Sequence, residues 1–249
     1  MAVFTDIEAV LFDLGGTLID YPLPSVPVMA GRCLQGVYRF LVGPEDRLAP
    51  PATSVPGPDE AQARRRAASP DSPLPHRLMT ALRRMVRSVS GRTLPRIGEA
   101  CARPIVAGGR LFDDALPTVR ALVDRGYRLG CVSNTPWGTP DYLWTGQLER
   151  FALAPLFEVC LFSSDIGFRK PDARIFRAAL NRLGVAPDRS VFVGDDAEAD
   201  IAGARGVGVH TVHVVRPDRA RSGPDPGPDL RVETLVELLD HLPPRAKKG

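Results

Sequence analysis

The sequence predicts an α/β fold in which helices cover both faces of a parallel sheet. From residue 111 onward, short apolar segments with strand character alternate with segments of helical period. The strand segments contain few polar positions, which is typical of parallel strands buried on both faces. Residues 22–108 break this alternation. We therefore expect a small helical block to be inserted after the first strand of the sheet.

The elements follow one another in a regular order. The first strand is predicted at 9–12, where four apolar residues lead into Asp13. The segment before Gly184 is strongly predicted to be a helix, and a glycine at that position is a common helix end. Further strands are predicted at 128–133, 159–163, 191–194 and 210–215, and helices at 113–124, 141–153, 172–183, 197–205 and 232–242. Residues 217–229 are rich in Pro, Gly and Asp and are predicted to form a loop.

The inserted block has a composition of its own. Residues 44–75 contain eight of the 25 prolines and few large apolar residues, so this stretch is predicted to be a mobile loop. Helices are predicted on either side of it, at 28–41 and 76–89. The predicted organisation is thus a core made of residues 1–21 and 109–249, with residues 22–108 as a helical insertion.

Composition limits the possible partners. Hydrophobic residues make up 44% of the chain and charged residues 24%, as in average globular proteins. No apolar stretch approaches the 18 residues of a membrane span, and no signal peptide pattern is present, so we expect a cytoplasmic protein without a membrane partner. The arginines at 64–66 and 77–92 could receive an anionic substrate or nucleic acid, but they are interpreted as a solvated face, because the chain uses arginine almost to the exclusion of lysine.

Polar residues that could take part in catalysis or metal binding lie at the ends of predicted strands or the starts of predicted helices. Because the carboxyl ends of parallel strands share one edge of the sheet, these residues are expected to converge there. The four segments are Phe12-Asp13-Leu14-Gly15-Gly16-Thr17, Val132-Ser133-Asn134, Arg169-Lys170-Pro171-Asp172 and Gly194-Asp195-Asp196-Ala197-Glu198-Ala199-Asp200. Only three of the 32 basic residues are lysine, and Lys170 is the one that does not lie at the carboxyl terminus.

In their order and approximate spacing, these four segments resemble the motifs of the haloacid dehalogenase-like (HAD) superfamily. The resemblance covers residues 7–20 and 109–242 and implies a doubly wound, Rossmann-like core with a small helical cap after the first strand. It also implies a phosphatase that forms an aspartyl-phosphate and uses Mg²⁺, an ion that prefers oxygen ligands.

The resemblance also implies site residues. The catalytic residues would be Asp13, Lys170 and Ser133, with Asp13 as the nucleophile. The phosphate would be bound by Gly16, Ser133, Asn134 and Lys170. The metal would be held by Asp13, the Gly15 carbonyl, Asp195 and Asp200. Asp196 is interpreted as the cap of the following helix, and the sequence leaves open whether it or Asp200 touches a metal.

Gly15 departs from the family pattern. Most phosphatases of the superfamily carry a second Asp at this position, which serves as general acid and base. Positioned proton transfer contributes roughly 10²–10⁴-fold to a rate, so its loss predicts an activity that is weak or restricted to good leaving groups. An acyl phosphate should suffer least, because its carboxylate leaves without a proton at neutral pH. Asp20 or a cap residue could replace the missing acid.

Several functions therefore stay open. The expected function is hydrolysis of a small phosphorylated metabolite. The sequence gives neither the identity of that metabolite nor the oligomeric state of the protein. A catalytically impaired binding or regulatory relative is the first alternative, motivated by Gly15. Haloacid dehalogenation is the second, although dehalogenases lack the Gly-Asp metal pattern that Gly194 and Asp195 retain. The phosphonatase branch of the family that the chain resembles uses a cap lysine, and residues 22–108 contain no lysine, which argues strongly against that mechanism.

Overall fold

The computed structural model describes residues 4, 6–21, 98–99, 102–103, 105–135, 139–217 and 227–245. The chain divides into two units, Met1–Pro24 with Ala102–Gly249 and Ser25–Cys101. Almost all described residues belong to the first unit. The predicted insertion at 22–108, with its helices at 28–41 and 76–89 and the proline-rich loop at 44–75, lies almost wholly outside the described residues and stays a prediction.

The core is a parallel sheet of six strands. Its strands are β1 (Ala9–Phe12), β4 (Arg128–Ser133), β5 (Val159–Phe162), β6 (Ser190–Gly194), β7 (His210–Val214) and β8 (Leu230–Val232). They lie in the order β5-β4-β1-β6-β7-β8 and all neighbours are parallel. The chain thus winds from β1 to one side and then to the other, which confirms the predicted doubly wound α/β fold. β1 and β6 are fully buried because both of their faces are covered.

Helices and a small two-stranded antiparallel sheet complete this unit. The α-helices are α1 (Ala115–Asp124), α2 (Asp141–Arg150), α3 (Ser163–Ile166), α4 (Ala173–Leu183), α5 (Gly203–Arg205) and α6 (Leu238–His241). A π-helical turn at Ala197–Ala202 leads directly into α5. The strands β2 (Ile19–Asp20) and β3 (Arg110–Leu111) pair antiparallel outside the main sheet. They join the segment after β1 to the segment that re-enters the core.

Two apolar cores lie on opposite faces of the sheet. On one face Val10 and Phe12 of β1 pack with residues of α1 and α2, and on the other Ala9 and Leu11 pack with α4. Alternate residues of the same strand thus feed the two cores, as the pleat of a strand requires. Among the described residues, no helix is both long and apolar enough to cross a membrane.

The predicted elements from residue 113 to 215 are confirmed to within a few residues, but the last predicted helix is wrong at its start. Val232 belongs to the edge strand β8, which pairs with β7. The helix expected at 232–242 is reduced to a 3₁₀ turn at Leu235–Glu237 and α6. Thr234 and Glu237 form a capping box, which sets the later start. This strand has only three residues and follows a Pro- and Gly-rich segment. It is too short for the alternation of side chains along a strand to be recognised in the sequence.

Packing on the α4 face gives a stability prediction. The Phe176 ring is 1% exposed and meets the Phe192 ring edge to face, with centroids 5.1 Å apart. Phe176→Ala should lower the free energy of unfolding by about 3–5 kcal/mol, because the core around it cannot close the cavity. Urea denaturation measures the loss. Tyr142→Ala is the control, since Tyr142 is 52% exposed and its removal should cost no more than about 0.5 kcal/mol. Equal losses in the two variants would contradict this account of the core.

Candidate active site

The predicted site residues meet at the carboxyl edge of the three central strands. Asp13 follows β1, Ser133 ends β4 and Asp195 follows β6. Because β1 lies between β4 and β6, these three positions are neighbours along the edge. Lys170 reaches them from the turn before α4, and Asp200 from the π-helical turn after β6.

Lys170 is the centre of the cluster. Its ammonium Nζ lies 2.6 Å from Asp13 Oδ1, 2.6 Å from Asp200 Oδ1 and 2.9 Å from the carbonyl oxygen of Val132. The residue is only 4% exposed. Three acceptors thus match the three protons of an ammonium group, which is the condition under which a buried charge is tolerated.

The pKa directions of Lys170 and Asp200 follow from this arrangement. Burial disfavours the ammonium, but the charges of Asp13 and Asp200 outweigh that effect and raise the pKa of Lys170. The pKa of Asp200 is raised to about 6. Burial is the main cause and the charge of Asp13 raises it further, while the nearby ammonium of Lys170 lowers it. The two directions are consistent, because one ammonium shared between two carboxylates leaves one negative charge uncompensated.

Asp13 is held in one orientation. Its Oδ1 accepts hydrogen bonds from Lys170 and from Ser133 Oγ, the latter at 3.0 Å, and its backbone N–H donates to Val193 at 2.9 Å. Both side-chain donors bind the same oxygen, so Oδ2 accepts no hydrogen bond from the residues that the structure describes. One carboxylate oxygen is thereby fixed and the other is left available to a ligand.

Asn134 is tied to the backbone of Lys170. Its Oδ1 accepts from the Lys170 N–H at 2.9 Å and its Nδ2 donates to the Lys170 carbonyl at 3.0 Å. The side-chain amide thus pairs with Lys170 at both ends, as one strand pairs with the next. This pair of hydrogen bonds joins the end of β4 to the turn that carries the lysine.

Three carboxylates form a cluster that could hold a metal ion. Asp13, Asp195 and Asp200 each offer one oxygen, and these oxygens lie within 4.8 Å of one another. Asp196 does not join them, because its carboxylate accepts from the backbone of Glu198 and Ala199 at 3.0 and 2.9 Å. It caps the π-helical turn, as interpreted from the sequence. Its own N–H donates to Asp200 Oδ2 at 3.0 Å.

Two glycines make the close approach of these groups possible. Gly16 has a φ of +91°, and a Cβ there would lie 2.3 Å from Asp195 Oδ2. A Cβ on Gly194 would lie 2.3 Å from Asp200 Oδ2. A side chain at either position would displace a carboxylate of the cluster, so both positions require glycine.

The loop after Asp13 is braced from two sides. The Arg216 guanidinium donates to the carbonyl of Thr17 and forms a two-pronged ion pair with Asp114, with all three distances 3.0 Å. It also stacks on the Phe112 ring at 3.6 Å. Sequence analysis missed this brace, because Arg216 and Asp114 are 102 residues apart and neither belongs to a motif.

Tyr21 fills the space beside Gly15. A Cβ on Gly15 would lie 3.3 Å from Tyr21 Cδ2 and 3.4 Å from its Cε2. The ring is 9% exposed and packs edge to face on Trp144, with centroids 5.9 Å apart. Its hydroxyl has no hydrogen-bond partner among the described residues. Sequence analysis did not single out Tyr21, since a tyrosine after a short strand carries no signal of its own.

Comparisons with known proteins agree with this geometry. A family model described as "Hydrolase: haloacid dehalogenase-like hydrolase" matches residues 7–208. The chain is 34% identical to a glyceraldehyde 3-phosphate phosphatase of Methanopyrus kandleri over 55% of this chain and 58% of that one. It is 33% identical to a phosphoglycolate phosphatase of Rhodospirillum rubrum over 82% of this chain and 78% of that one. It spans about half the length of several curated relatives that it matches.

Solved structures of two named activities are similar to this fold. A HAD phosphatase from Thermococcus onnurineus has a TM-score of 0.62 and 25% identity, covering 96% of this chain and 99% of that one. A 2-haloacid dehalogenase from Pseudomonas syringae pv. Tomato DC3000 has a TM-score of 0.61 and 26% identity, covering 95% and 98%. The fold alone therefore does not choose between a phosphate ester and a haloacid as substrate.

The uncompensated charge at Asp200 predicts how stability depends on pH. The folded pKa of Asp200 lies above its ordinary value of 3.8, so its contribution to stability is present below about pH 4 and is lost as pH rises through about 6. Asp200→Asn has no such titration. With a chelator present, the stability of Asp200→Asn relative to wild type should increase between pH 4 and pH 7 by up to roughly 3 kcal/mol.

Urea denaturation at the two pH values measures this difference. Asp188→Asn removes an exposed carboxylate before the amino end of β6, far from the site, and controls for the change in net charge. A stability difference between Asp200→Asn and wild type that stays constant with pH would contradict the charge imbalance in the cluster.

Proposed function

The chain belongs to the haloacid dehalogenase-like hydrolase family, and on that premise we propose that it hydrolyses small phosphorylated metabolites through an aspartyl-phosphate at Asp13. The observation that carries the proposal is the buried ion-pair cluster of Lys170 with Asp13 and Asp200. It orients one carboxylate and places a positive charge beside it, which offsets the charge of an approaching anion. Relatives named as phosphoglycolate and glyceraldehyde 3-phosphate phosphatases support the substrate class.

Asp13 is the proposed nucleophile. Its Oδ2 attacks the phosphorus atom while Oδ1 stays bound to Lys170 and Ser133. The bond from phosphorus to the ester oxygen breaks, and the leaving group departs with the bonding electron pair. Water then attacks the phosphorus atom of the aspartyl-phosphate, which releases phosphate and restores the carboxylate.

The remaining residues assist that attack. Lys170 offsets the repulsion between the carboxylate of Asp13 and the incoming phosphate. Ser133 donates its one hydroxyl proton to Asp13 Oδ1, so it holds the nucleophile and would bind a phosphoryl oxygen only by turning that proton toward it. Gly16 was expected to bind the phosphate, but its backbone N–H donates to the carbonyl of Ile19 at 2.8 Å and has no proton left for a phosphoryl oxygen. Asn134 was expected to bind substrate, but both ends of its amide pair with Lys170. We assign it the role of positioning the lysine.

A divalent cation suits the acidic cluster. Asp13, Asp195 and Asp200 bring three negative charges within reach of one another, and the ammonium of Lys170 offsets one of them. All the offered ligands are oxygens, which favours Mg²⁺ over metals that prefer nitrogen or sulfur. The Gly15 carbonyl is the proposed fourth protein ligand. When bound, Mg²⁺ supplies positive charge that neutralises the phosphoryl oxygens.

Dehalogenation is the second candidate, and the similarity to a 2-haloacid dehalogenase structure favours it. A departing halide needs no proton, so Gly15 is compatible with this reaction. The acidic cluster argues against it, because the carboxylates of Asp195 and Asp200, beside that of Asp13, would repel a haloacid unless a cation were bound. A binding protein without turnover also accounts for Gly15 but leaves the orientation of Asp13 without a purpose.

Phosphate release tests the proposed function. Acetyl phosphate and p-nitrophenyl phosphate should release phosphate in the presence of Mg²⁺, and a chelator should abolish the release. Asp13→Asn should be inactive at least to about 10³-fold, since the nucleophile is lost. Asp188→Asn, which changes an exposed carboxylate far from the site, should keep wild-type activity. Release by Asp13→Asn at the wild-type rate would remove the nucleophile assignment, and chloride release from 2-chloropropionate alone would establish dehalogenation.

Gly15→Asp tests the missing acid. The new Cβ meets the edge of the Tyr21 ring at 3.3 Å, so the ring has to shift by a few tenths of an ångström to admit it. If only the proton donor is missing, the rate on an alkyl phosphate should rise by about 10²-fold, while the rate on acetyl phosphate should change little. Gly15→Asn has the same size without the acid and should give no gain. An equal gain in both variants would show that the side chain acts by its shape.

A further inference from the structure

We propose that Arg169 binds a second anionic group of the substrate, so that the preferred substrates are phosphate esters that also carry a carboxylate or another phosphate. The inference rests on the proposed phosphatase function. It concerns the part of the substrate that is not transferred. Among the described residues around Asp13, no other residue has been assigned to bind this second anionic group.

Arg169 lies at the rim of the site. It directly precedes Lys170, whose backbone is paired with Asn134. Its Nη1 donates to the carbonyl oxygen of Thr135 at 2.5 Å. Thr135 is two residues after Ser133, and two residues span at most about 7 Å. The guanidinium therefore lies beside the segment that carries Ser133, whose hydroxyl reaches Asp13.

The charge of Arg169 is not neutralised. Among the described residues, its guanidinium donates to the neutral carbonyl of Thr135 and forms no ion pair. Other basic side chains near the site form ion pairs with carboxylates. These are Lys170 with Asp13 and Asp200, Arg216 with Asp114, and Arg174 with Asp172. Arg169 is also exposed, so its remaining N–H groups can reach a ligand.

The anchor of Arg169 is rigid. Thr135 is 1% exposed, and its N–H donates to Ser163 Oγ at 2.9 Å. The two hydroxyls of Thr135 and Ser163 lie 3.1 Å apart. A guanidinium held at one corner by such a group keeps its planar fork in place, and that fork matches the oxygens of a carboxylate or a phosphate.

Three substrates separate this role from a structural one. They are 2-phosphoglycolate, which carries a carboxylate, 2-hydroxyethyl phosphate, which has a neutral hydroxyl in its place, and fructose 1,6-bisphosphate, which carries a second phosphate. Steady-state kcat and KM would be measured with Mg²⁺ for wild type, Arg169→Gln and Arg169→Lys. Arg174→Gln is the matched control, because Arg174 is a nearby exposed arginine whose charge is paired with Asp172.

Arg169→Gln should lower kcat/KM by about tenfold or more for a substrate with a second anion, mainly through KM, since a charge-assisted hydrogen bond is lost. For 2-hydroxyethyl phosphate the change should stay within about twofold. Arg169→Lys should recover part of the loss, and Arg174→Gln should resemble wild type. A larger loss of kcat/KM for 2-phosphoglycolate than for fructose 1,6-bisphosphate would show that Arg169 prefers a carboxylate. The reverse order would show that it prefers a second phosphate.

Other outcomes overturn the inference. Equal losses on all three substrates would mean that Arg169 only fastens Thr135, and no loss on any would remove it from substrate binding. Wild-type activity that is as high on the neutral ester as on the two anionic substrates would leave the phosphatase intact and refute the role of Arg169. Failure of wild type to release phosphate from any ester would refute the proposed function, and the inference with it.

Discussion

The ammonium of Lys170, buried between Asp13 and Asp200, is the interaction on which the rest of the site depends. It joins three parts of the chain that are distant in sequence: the end of β1, the turn before α4 and the helix after β6. A buried charge of this kind is tolerated only with complete pairing, and loss of one partner typically costs about 3–5 kcal/mol. The positions of the site residues and the packing at this edge of the sheet therefore both depend on the ion pairs of Lys170.

The cluster has more negative than positive charge, and this imbalance has a chemical use. A site with three carboxylates and one ammonium repels an anionic substrate unless a cation is bound, so the proposed Mg²⁺ would serve both stability and catalysis. The same cluster is our reason for preferring a phosphatase to a dehalogenase, since solved structures named for both activities are similar to this fold. In the part of the chain that the structure describes, only the Tyr21 ring lies within 4 Å of a Cβ on Gly15, so the proposed reaction depends on a leaving group that needs no proton from this position.

The sequence predicts those parts of the molecule that leave a local pattern. Apolar strands and periodic helices predicted the sheet from β4 to β7. Polar residues at strand ends and helix starts, together with the family resemblance, predicted the members of the cluster. The brace between Arg216 and Asp114 and the pairing of Asn134 with Lys170 could not be predicted, since each joins segments whose local patterns are independent. The edge strand β8 was missed because three residues are too few for a period. Tyr21 was missed because its role depends on the backbone of Gly15.

A covalent phosphoryl group on Asp13 is the most direct test of the central claim that this carboxylate is a nucleophile oriented by Lys170. Wild-type protein would be mixed with acetyl phosphate and Mg²⁺, quenched in acid within milliseconds to seconds, and digested for mass spectrometry. We predict one phosphoryl group on the peptide that contains Asp13, and none in Asp13→Asn. Phosphate release without phosphorylation of that peptide at any quench time, or phosphorylation at another residue, would contradict the account.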